Sequence, residues 1–315
     1  MKPEKVIVIG GGIGGLTFAL ALHRANITVE VYERTPELKE VGAGLGVWAN
    51  AARVLNRLGA GERVSEFAHT IEFAAVCNDK GQTLSSMNSK QVAIDDSPPL
   101  YIMRRSDLLN SIYEQLPSGI VKTGHECIRV EENETGVTAN FANGTKTEGT
   151  ILVGADGINS IVRATLWNDG KPRYSGQTCF RGLANFKLKD TKTLREIQGA
   201  GKRAGICPLK NESVYWFAVV NAPEGKMIPF DERQSFLLKE FGGWLYQVPE
   251  IISETTSDKI FQNDLVDRIP IKQWNKGRMT LLVFSQGCDD ESEPPAPTGG
   301  LSAAKKKTAR RRRRF

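Results

Sequence analysis

Apolar residues along this chain follow two different rhythms. In the first half, short unbroken apolar runs rich in β-branched residues alternate with helical patterns. Lys5-Val-Ile-Val-Ile-Gly10 is one such run, Ile27-Thr-Val-Glu-Val-Tyr-Glu33 a second, and Ile151-Leu-Val-Gly154 a third. Unbroken apolar character suits strands covered on both faces of a parallel sheet. Between the first two runs, Leu16, Ala19, Leu20, Leu22 and His23 recur at helical spacing and predict a βαβ unit about 30 residues long. After Arg181 the rhythm becomes alternation, in Gly182-Leu-Ala-Asn-Phe-Lys-Leu, Ala204-Gly-Ile-Cys-Pro and Ser213-Val-Tyr-Trp-Phe-Ala-Val-Val220, with a turn at Lys210-Asn-Glu. Such alternation predicts antiparallel strands with one wet face. A helix is expected from Glu232 to Phe241, where Phe236, Leu237, Leu238 and Phe241 stand at helical spacing. The predicted fold is α/β, a Rossmann-like domain on a parallel sheet joined to a domain on an antiparallel sheet.

Glycines give the first unit its chemistry. Gly10-Gly-Gly12-Ile13-Gly14-Gly15 joins strand to helix with the spacing G-x-G-x-x-G. Gly10 allows the tight turn, Gly12 lets the backbone approach a pyrophosphate, and Gly15 lets the helix pack against the strand. Unpaired N–H groups at the helix start, around Ile13 and Gly14, attract phosphate charge. Glu33, ending the second strand, is placed to accept hydrogen bonds from a ribose 2′-hydroxyl. The spacing alone is unspecific; the flanking strand, the helix and the acid together predict dinucleotide binding. NAD and FAD share the adenosine diphosphate half, so this unit does not choose between them.

The choice comes from Ile151-Leu-Val-Gly-Ala-Asp156-Gly157-Ile-Asn-Ser160-Ile-Val-Arg163. It resembles the Asp-Gly motif of the class A FAD-dependent monooxygenases, the para-hydroxybenzoate hydroxylase-like family. Further segments match that family in order. Gly42-Ala-Gly44-Leu-Gly-Val-Trp48-Ala-Asn50-Ala resembles the loop and helix start beside the flavin. Met103-Arg-Arg105-Ser-Asp-Leu108 resembles an Arg-x-x-Leu helix start, in which Arg105 would reach toward the flavin's phosphates or ribityl chain. Tyr174-Ser-Gly-Gln-Thr-Cys-Phe-Arg181-Gly182 resembles the strand entering the substrate domain in the branch containing salicylate, urate and zeaxanthin oxygenases. The resemblance covers roughly residues 4–282.

This resemblance implies FAD as cofactor, NADPH or NADH as a transient reductant, and O2 as the source of one oxygen atom inserted into an aromatic, heteroaromatic or polyene small molecule. It implies a discontinuous FAD-binding domain from residues 1–70, 100–175 and 264–282, and a substrate domain from 71–99 and 176–263. Cofactor contacts are expected at Gly10, Gly12, Ile13, Gly14, Gly15, Glu33, Arg34, Gly44, Arg105, Asp156 and Gly157. Two readings stay open for single residues. Asp156 either binds cofactor or caps the following helix; Arg34 either stacks on adenine or is solvated. Arg181 is the candidate for substrate or flavin contact, against a plain structural role.

Composition narrows the setting. Cys77, Cys127, Cys179, Cys207 and Cys288 are odd in number and never spaced C-x-x-C, so neither a disulfide framework nor a zinc site is expected. His23, His69 and His125 have no neighbouring ligand types, so no metal site and no His catalysis are expected. The apolar run Val6 to Leu22 holds five glycines, each costing a helix about 1 kcal/mol, and does not read as a secretory signal. A protein without a membrane span, in the cytoplasm, is expected. The net charge of +6 comes from one end: Lys305–Lys307 and Arg310–Arg314 are eight cations, leaving 34 basic against 36 acidic residues in 1–300.

The C-terminal stretch departs from the family. Asp264-Leu-Val-Asp-Arg-Ile-Pro270 and Trp274-Asn-Lys-Gly277-Arg-Met-Thr-Leu-Leu282 resemble the approach to its last flavin motif, Gly-Asp-Ala-Ala-His. Here Val283-Phe-Ser-Gln-Gly-Cys-Asp-Asp-Glu follows instead. The expectation is a C-terminally truncated or altered form that binds FAD weakly, with a noncatalytic remnant as the alternative. Residues 283–315, acidic, then Pro/Gly-rich, then polybasic, are expected to be disordered and to offer a nonspecific nucleic-acid-binding tail.

Overall fold

A computed structural model describes residues 4–38, 44–92 and 100–282. Gly42 and Ala43, the last part of the predicted 71–99 segment, and the whole of 283–315 with its altered motif and basic tail lie outside the described residues. The chain begins β1 (Val6–Ile9), α1 (Ile13–Arg24), β2 (Val29–Tyr32), β3 (Gly44–Trp48), α2 (Ala49–Arg57), α3 (Gly61–Phe67), β4 (His69–Thr70), β5 (Phe73–Asn78) and β6 (Thr83–Asn88). It continues β7 (Leu100–Arg104), α4 (Arg105–Tyr113), β8 (Val121–Lys122), β9 (Cys127–Glu132), β10 (Val137–Phe141), β11 (Lys146–Gly149), β12 (Ile151–Gly154) and α5 (Ile161–Trp167). Then come β13 (Arg173–Asn185), β14 (Thr193–Gly199), β15 (Lys202–Pro208), β16 (Ser213–Asn221), α6 (Arg233–Phe241), α7 (Val248–Ser253), β17 (Phe261–Asp267), β18 (Asn275–Lys276) and β19 (Met279–Leu281).

The three unbroken apolar runs become neighbours in one sheet, ordered β18-β19-β12-β1-β2-β8 and parallel from β19 to β8. All four β1 residues are buried, because the strand is covered on both sides. Val6 and Val8 enter a core with Leu16 and Leu20 of α1 and Leu108, Leu109 and Ile112 of α4. Ile7 and Ile9 face the opposite way, toward Val130, Ala139 and Phe141 of a β-meander and Val162 of α5. Ile9 pairs with both Gly154 and Tyr32, so β1, β2 and β12 end level and their following loops emerge side by side.

The meander β9-β10-β11 is not among the elements read from the sequence. Its signal was available: Val137, Ala139 and Phe141 alternate as buried residues, and Asn143-Gly144, with Gly144 at φ +82°, is a hairpin turn type.

The alternating second half forms a seven-stranded sheet ordered β17-β13-β16-β15-β14-β5-β6, to which residues 73–88 contribute its last two strands. The expected wet face is absent along β16, where Val214, Tyr215, Trp216, Ala218 and Val219 are all buried. Both sides are covered. Phe180, Ala184, Ile206, Trp216 and Ala218 pack on Leu237, Phe241, Val248 and Ile251 of α6 and α7. On the other face, Leu183, Cys207, Tyr215 and Phe217 meet Trp48, Leu100 and Ile102 from the small antiparallel sheet β3-β7-β4. The helix expected from Glu232 begins at Arg233, after a 3-10 turn over Phe230–Glu232. Among the described residues, no helix is long and apolar enough to cross a membrane.

Candidate functional site

The loop after β1 carries the most constrained glycines. Gly10 has φ +107°, and a Cβ there would lie 2.3 Å from the Ala155 carbonyl oxygen. A Cβ on Gly15 would lie 2.0 Å from the Gly10 oxygen, so helix and strand touch through this pair. Gly14 and Ile13 are buried in the first turn of α1. Gly12 is different. Its φ of −71° suits any residue, and a Cβ there would meet nothing within 4 Å. Neither backbone nor packing asks for glycine at Gly12; an occupant of the open space would. The N-terminus of α1 also has no side-chain cap and no acid in its first turn, which leaves N–H groups and the positive end of the helix dipole facing that space.

Glu33 closes one side of the loop. Its Oε2 accepts the Gly11 N–H at 2.7 Å, while Oε1 accepts the N–H and hydroxyl of Thr35 at 2.9 and 3.1 Å. Oε1 is thereby filled, while Oε2 retains acceptor capacity for one further donor. Arg34, beside it, is exposed. Gly11 was not read as a site residue, yet a Cβ there would stand 2.9 Å from the Glu33 Cβ; the run of consecutive glycines was the available signal.

The Asp156–Gly157 turn stands against Gly10 at the end of β12. Asp156 Oδ1 accepts the Ser160 hydroxyl at 2.6 Å, and Oδ2 accepts the N–H groups of Ile161 and Val162 at 2.8 and 3.3 Å. Ser160 Oγ in turn accepts the Arg163 N–H at 2.9 Å. Asp156 and Ser160 thus share the capping of α5. Burial pushes the Asp156 carboxyl above the ordinary value, against the lowering effect of those donors. Gly157 is exposed with φ +74°, a conformation that favours glycine.

The pairing of β3 with β7 sets Gly44 opposite Arg104, the residue before Arg105. A Cβ on Gly44 would lie 2.6 Å from Cγ of Tyr215, so this glycine seats the Tyr215 ring. Arg104 Nη2 donates to Ser213 Oγ at 3.3 Å, which ties the doublet to the large sheet, while Arg105 opens α4. The cores of α1 and α4 are continuous through Ile13, Leu16, Met103 and Leu108.

Arg181 lies on β13, between Phe217 of β16 and Phe261 of β17 in the register. Its Nη2 donates to Asn263 Oδ1 at 3.0 Å. Phe217 is folded over Gly205, where a Cβ would come 2.0 Å from the ring. Leu183, Tyr215 and Phe217 share one face, away from α6 and α7. The result is an aromatic and apolar wall with a cation at its edge. The sites read from sequence therefore fall into two groups, one at the ends of β1, β2 and β12 and one running from Gly44 and Arg105 to the Arg181 face.

These features fit a dinucleotide. An open Gly12, an uncapped α1, and Glu33 and Gly157 on either side can hold a pyrophosphate and a ribose without moving packed atoms. Comparison with known proteins agrees. The family model described as "FAD binding domain" matches residues 4–236. The chain is 34% identical to an aurachin C monooxygenase/isomerase of Stigmatella aurantiaca over 94% of this chain and 76% of the relative. It is 35% identical to the 3-amino-4-hydroxybenzoate 2-monooxygenase PtmB3 of Streptomyces platensis, over 88% of this chain and 72% of the relative. The crystal structure of Klebsiella pneumoniae HpxO complexed with FAD and uric acid superposes with a TM-score of 0.79 at 27% identity, covering 88% of this chain and 72% of that one.

Proposed function

The chain belongs to the FAD-binding-domain family of class A flavin monooxygenases, and from that premise we propose that it uses NADH or NADPH and O2 to insert one oxygen atom into an aromatic, heteroaromatic or polyene small molecule. The observation that carries the reading is Gly12, whose glycine is explained by an occupant of the space before α1 and by nothing else around it. The α1 N-terminus and Gly12 backbone hold the pyrophosphate, Glu33 the ribose, and Asp156–Gly157, Gly44 and Arg105 the rest of the cofactor, with Arg34 beside the adenine.

The chemistry FAD supplies when bound is acceptance of hydride and activation of oxygen. The chain's own part is binding, orientation and exclusion of water. Phe217 and Leu183, half-buried on the same sheet face as Arg181 and backed by the buried Tyr215, offer an apolar edge for an unsaturated ring. Arg181, steadied by Asn263, orients a carboxylate, phenolate or carbonyl at its edge through a charge-assisted hydrogen bond. Aromatic substrates in the names of its relatives, aminohydroxybenzoate and urate, carry such groups.

The departure after Leu282 belongs to the same proposal. Val283-Phe-Ser-Gln stands where the family carries Gly-Asp-Ala-Ala-His, which removes an acidic partner for the ribityl chain and lowers FAD affinity. The experiment is reconstitution of purified protein with FAD followed by NADPH- and NADH-driven O2 uptake over a panel of hydroxylated benzoates, other hydroxylated heteroaromatic rings and urate. Substrate-dependent uptake with FAD held more weakly than one equivalent is the expected result. Protein that binds no flavin and consumes no O2 would be a noncatalytic remnant.

A further inference from the structure

Two arginines converge on one aspartate behind the Asp156–Gly157 turn. Arg268 follows directly on β17, and its side chain is only 9% exposed. Its Nε donates to the Ile158 carbonyl at 2.8 Å; its Nη1 donates to the Gly170 carbonyl at 2.6 Å and to Asp169 Oδ1 at 3.2 Å. Arg163 takes the other Asp169 oxygen, Nε to Oδ2 at 2.6 Å, and donates from Nη2 to the Ile269 carbonyl at 2.7 Å. Burial alone would raise the Asp169 carboxyl, but the two guanidinium groups, Arg163 first, hold it below the ordinary range.

The geometry matters because of what Ile158 adjoins. It is the residue after Gly157, which adopts φ +74° and, lacking a Cβ, restricts the turn's backbone less than another residue would. Asp156, two residues before Ile158, holds the N–H groups of Ile161 and Val162. Arg268 therefore clamps the turn at its midpoint while α5 clamps it at its end. The same β17 carries Asn263, the partner of Arg181. One strand thus supports both the cation on the substrate wall and the turn beside Gly10.

We infer that Arg268 is a positioning residue that fixes the Asp156–Ser160 turn against the cofactor and ties it to the strand bearing Asn263. The inference rests on the proposed role of Asp156–Gly157 as a cofactor-facing turn. Loss of Arg268 leaves the Ile158 carbonyl without its charged donor and Asp169 with one arginine. The turn then samples other conformations, and cofactor binding must select among them.

The test is FAD titration of apoprotein by flavin fluorescence, together with amide exchange at Ser160, Ile161 and Val162 in the full chain. Arg268→Met is expected to raise the FAD Kd about tenfold, the value of one charge-assisted hydrogen bond, and to speed exchange at those amides. Arg268→Lys is expected to recover part of the affinity, since an ammonium reaches one acceptor but lacks the fork. Asp169→Asn, which loosens Arg268 without removing it, covers the case of a methionine variant that does not fold and is expected to shift Kd in the same direction by less. A lowered melting temperature with unchanged Kd and unchanged exchange overturns the positioning role. Asp156→Asn separates the two readings. Weakened FAD there with unaffected Arg268 variants overturns the inference alone, and unchanged affinity in both overturns the cofactor-facing turn itself.

Discussion

Glu33 and Gly11 face each other across the glycine loop, the carboxylate Oε2 accepting the Gly11 N–H at 2.7 Å while Oε1 takes the N–H of Thr35 at 2.9 Å. The acid that is to receive a ribose hydroxyl is therefore held from both sides by backbone donors before any ligand arrives. A glutamine cannot reproduce this, since one end of its amide is a donor and would confront a donor. Glu33→Gln is expected to raise the FAD Kd by about 10–100-fold, the worth of a charged hydrogen bond, as read by fluorescence titration of apoprotein. Equal affinity in the variant would remove Glu33 from the site.

Gly10 and Gly12 sit two residues apart and answer differently to added atoms. Gly10→Ala meets φ +107° and a contact of 2.3 Å, and is expected to cost about 2–5 kcal/mol of stability. Gly12→Ser meets open space and supplies the missing cap of α1. It is expected to stabilise the apoprotein by about 0.3–1 kcal/mol while weakening FAD at least about tenfold by filling the phosphate approach. Denaturant unfolding and FAD titration on the same variants read the two effects. A Gly12→Ser protein that is both more stable and binds FAD as well as wild type would contradict the proposed cradle.

What was legible in the sequence follows from range. The βαβ unit, the glycine loop and the turn after Gly154 are local, each written within a few residues by an apolar run, a glycine and a helical period. The second sheet was legible as alternation, but not its covered face: Tyr215 is buried with Leu100 and Ile102, with Trp48 packed against them, and nothing near residue 215 announces a partner so far back in the chain. Gly44 looked like a flavin-loop glycine, and its packing reason, the Tyr215 ring, is equally long-range. Arg268 and Asp169 are separated by 99 residues, so no spacing rule could join them. The meander β9-β10-β11 is legible locally as well, because Asn143-Gly144 and the alternation of Val137, Ala139 and Phe141 before it lie within a few residues of each other.

Glu30 supports the edge of the parallel sheet rather than the cofactor. Burial alone would raise its carboxyl, but donors from Lys122, Lys5 and Tyr32 outweigh this and hold it at about 2 against an ordinary 4.5. A carboxylate depressed in the folded state contributes stability above its unfolded value, and that contribution is lost as pH falls through the folded one. The gap corresponds to at most ~3 kcal/mol, which solvent screening at this partly exposed site reduces to about 1–2 kcal/mol. Glu30→Gln is expected to be less stable than wild type by that amount at neutral pH. The difference should shrink as pH is lowered from 4.5 toward 2. Urea unfolding at several pH values checks this, and a difference independent of pH would show that packing, not charge, is what the substitution removes.

Arg181 tests the substrate wall. It stands between Phe217 and Phe261 in the sheet register, with its guanidinium on Asn263, so truncation to methionine keeps much of the apolar stem while removing the charge. If Arg181 orients an anionic or carbonyl group on an unsaturated ring, Arg181→Met should raise KM for such a substrate about 10–100-fold and change kcat less, since the group binds rather than reacts. Poorly oriented substrate also leaves activated oxygen undelivered, so less product should form per NADPH consumed. Arg181→Lys should recover part of the KM, because one ammonium can still donate to the substrate but cannot also hold Asn263 in the same geometry. The measurement is product formed against NADPH oxidised, over a concentration series of a hydroxybenzoate or whichever substrate the panel identifies. Unchanged KM together with lowered stability would assign Arg181 to the β13–β17 contact alone and remove it from the proposed substrate wall.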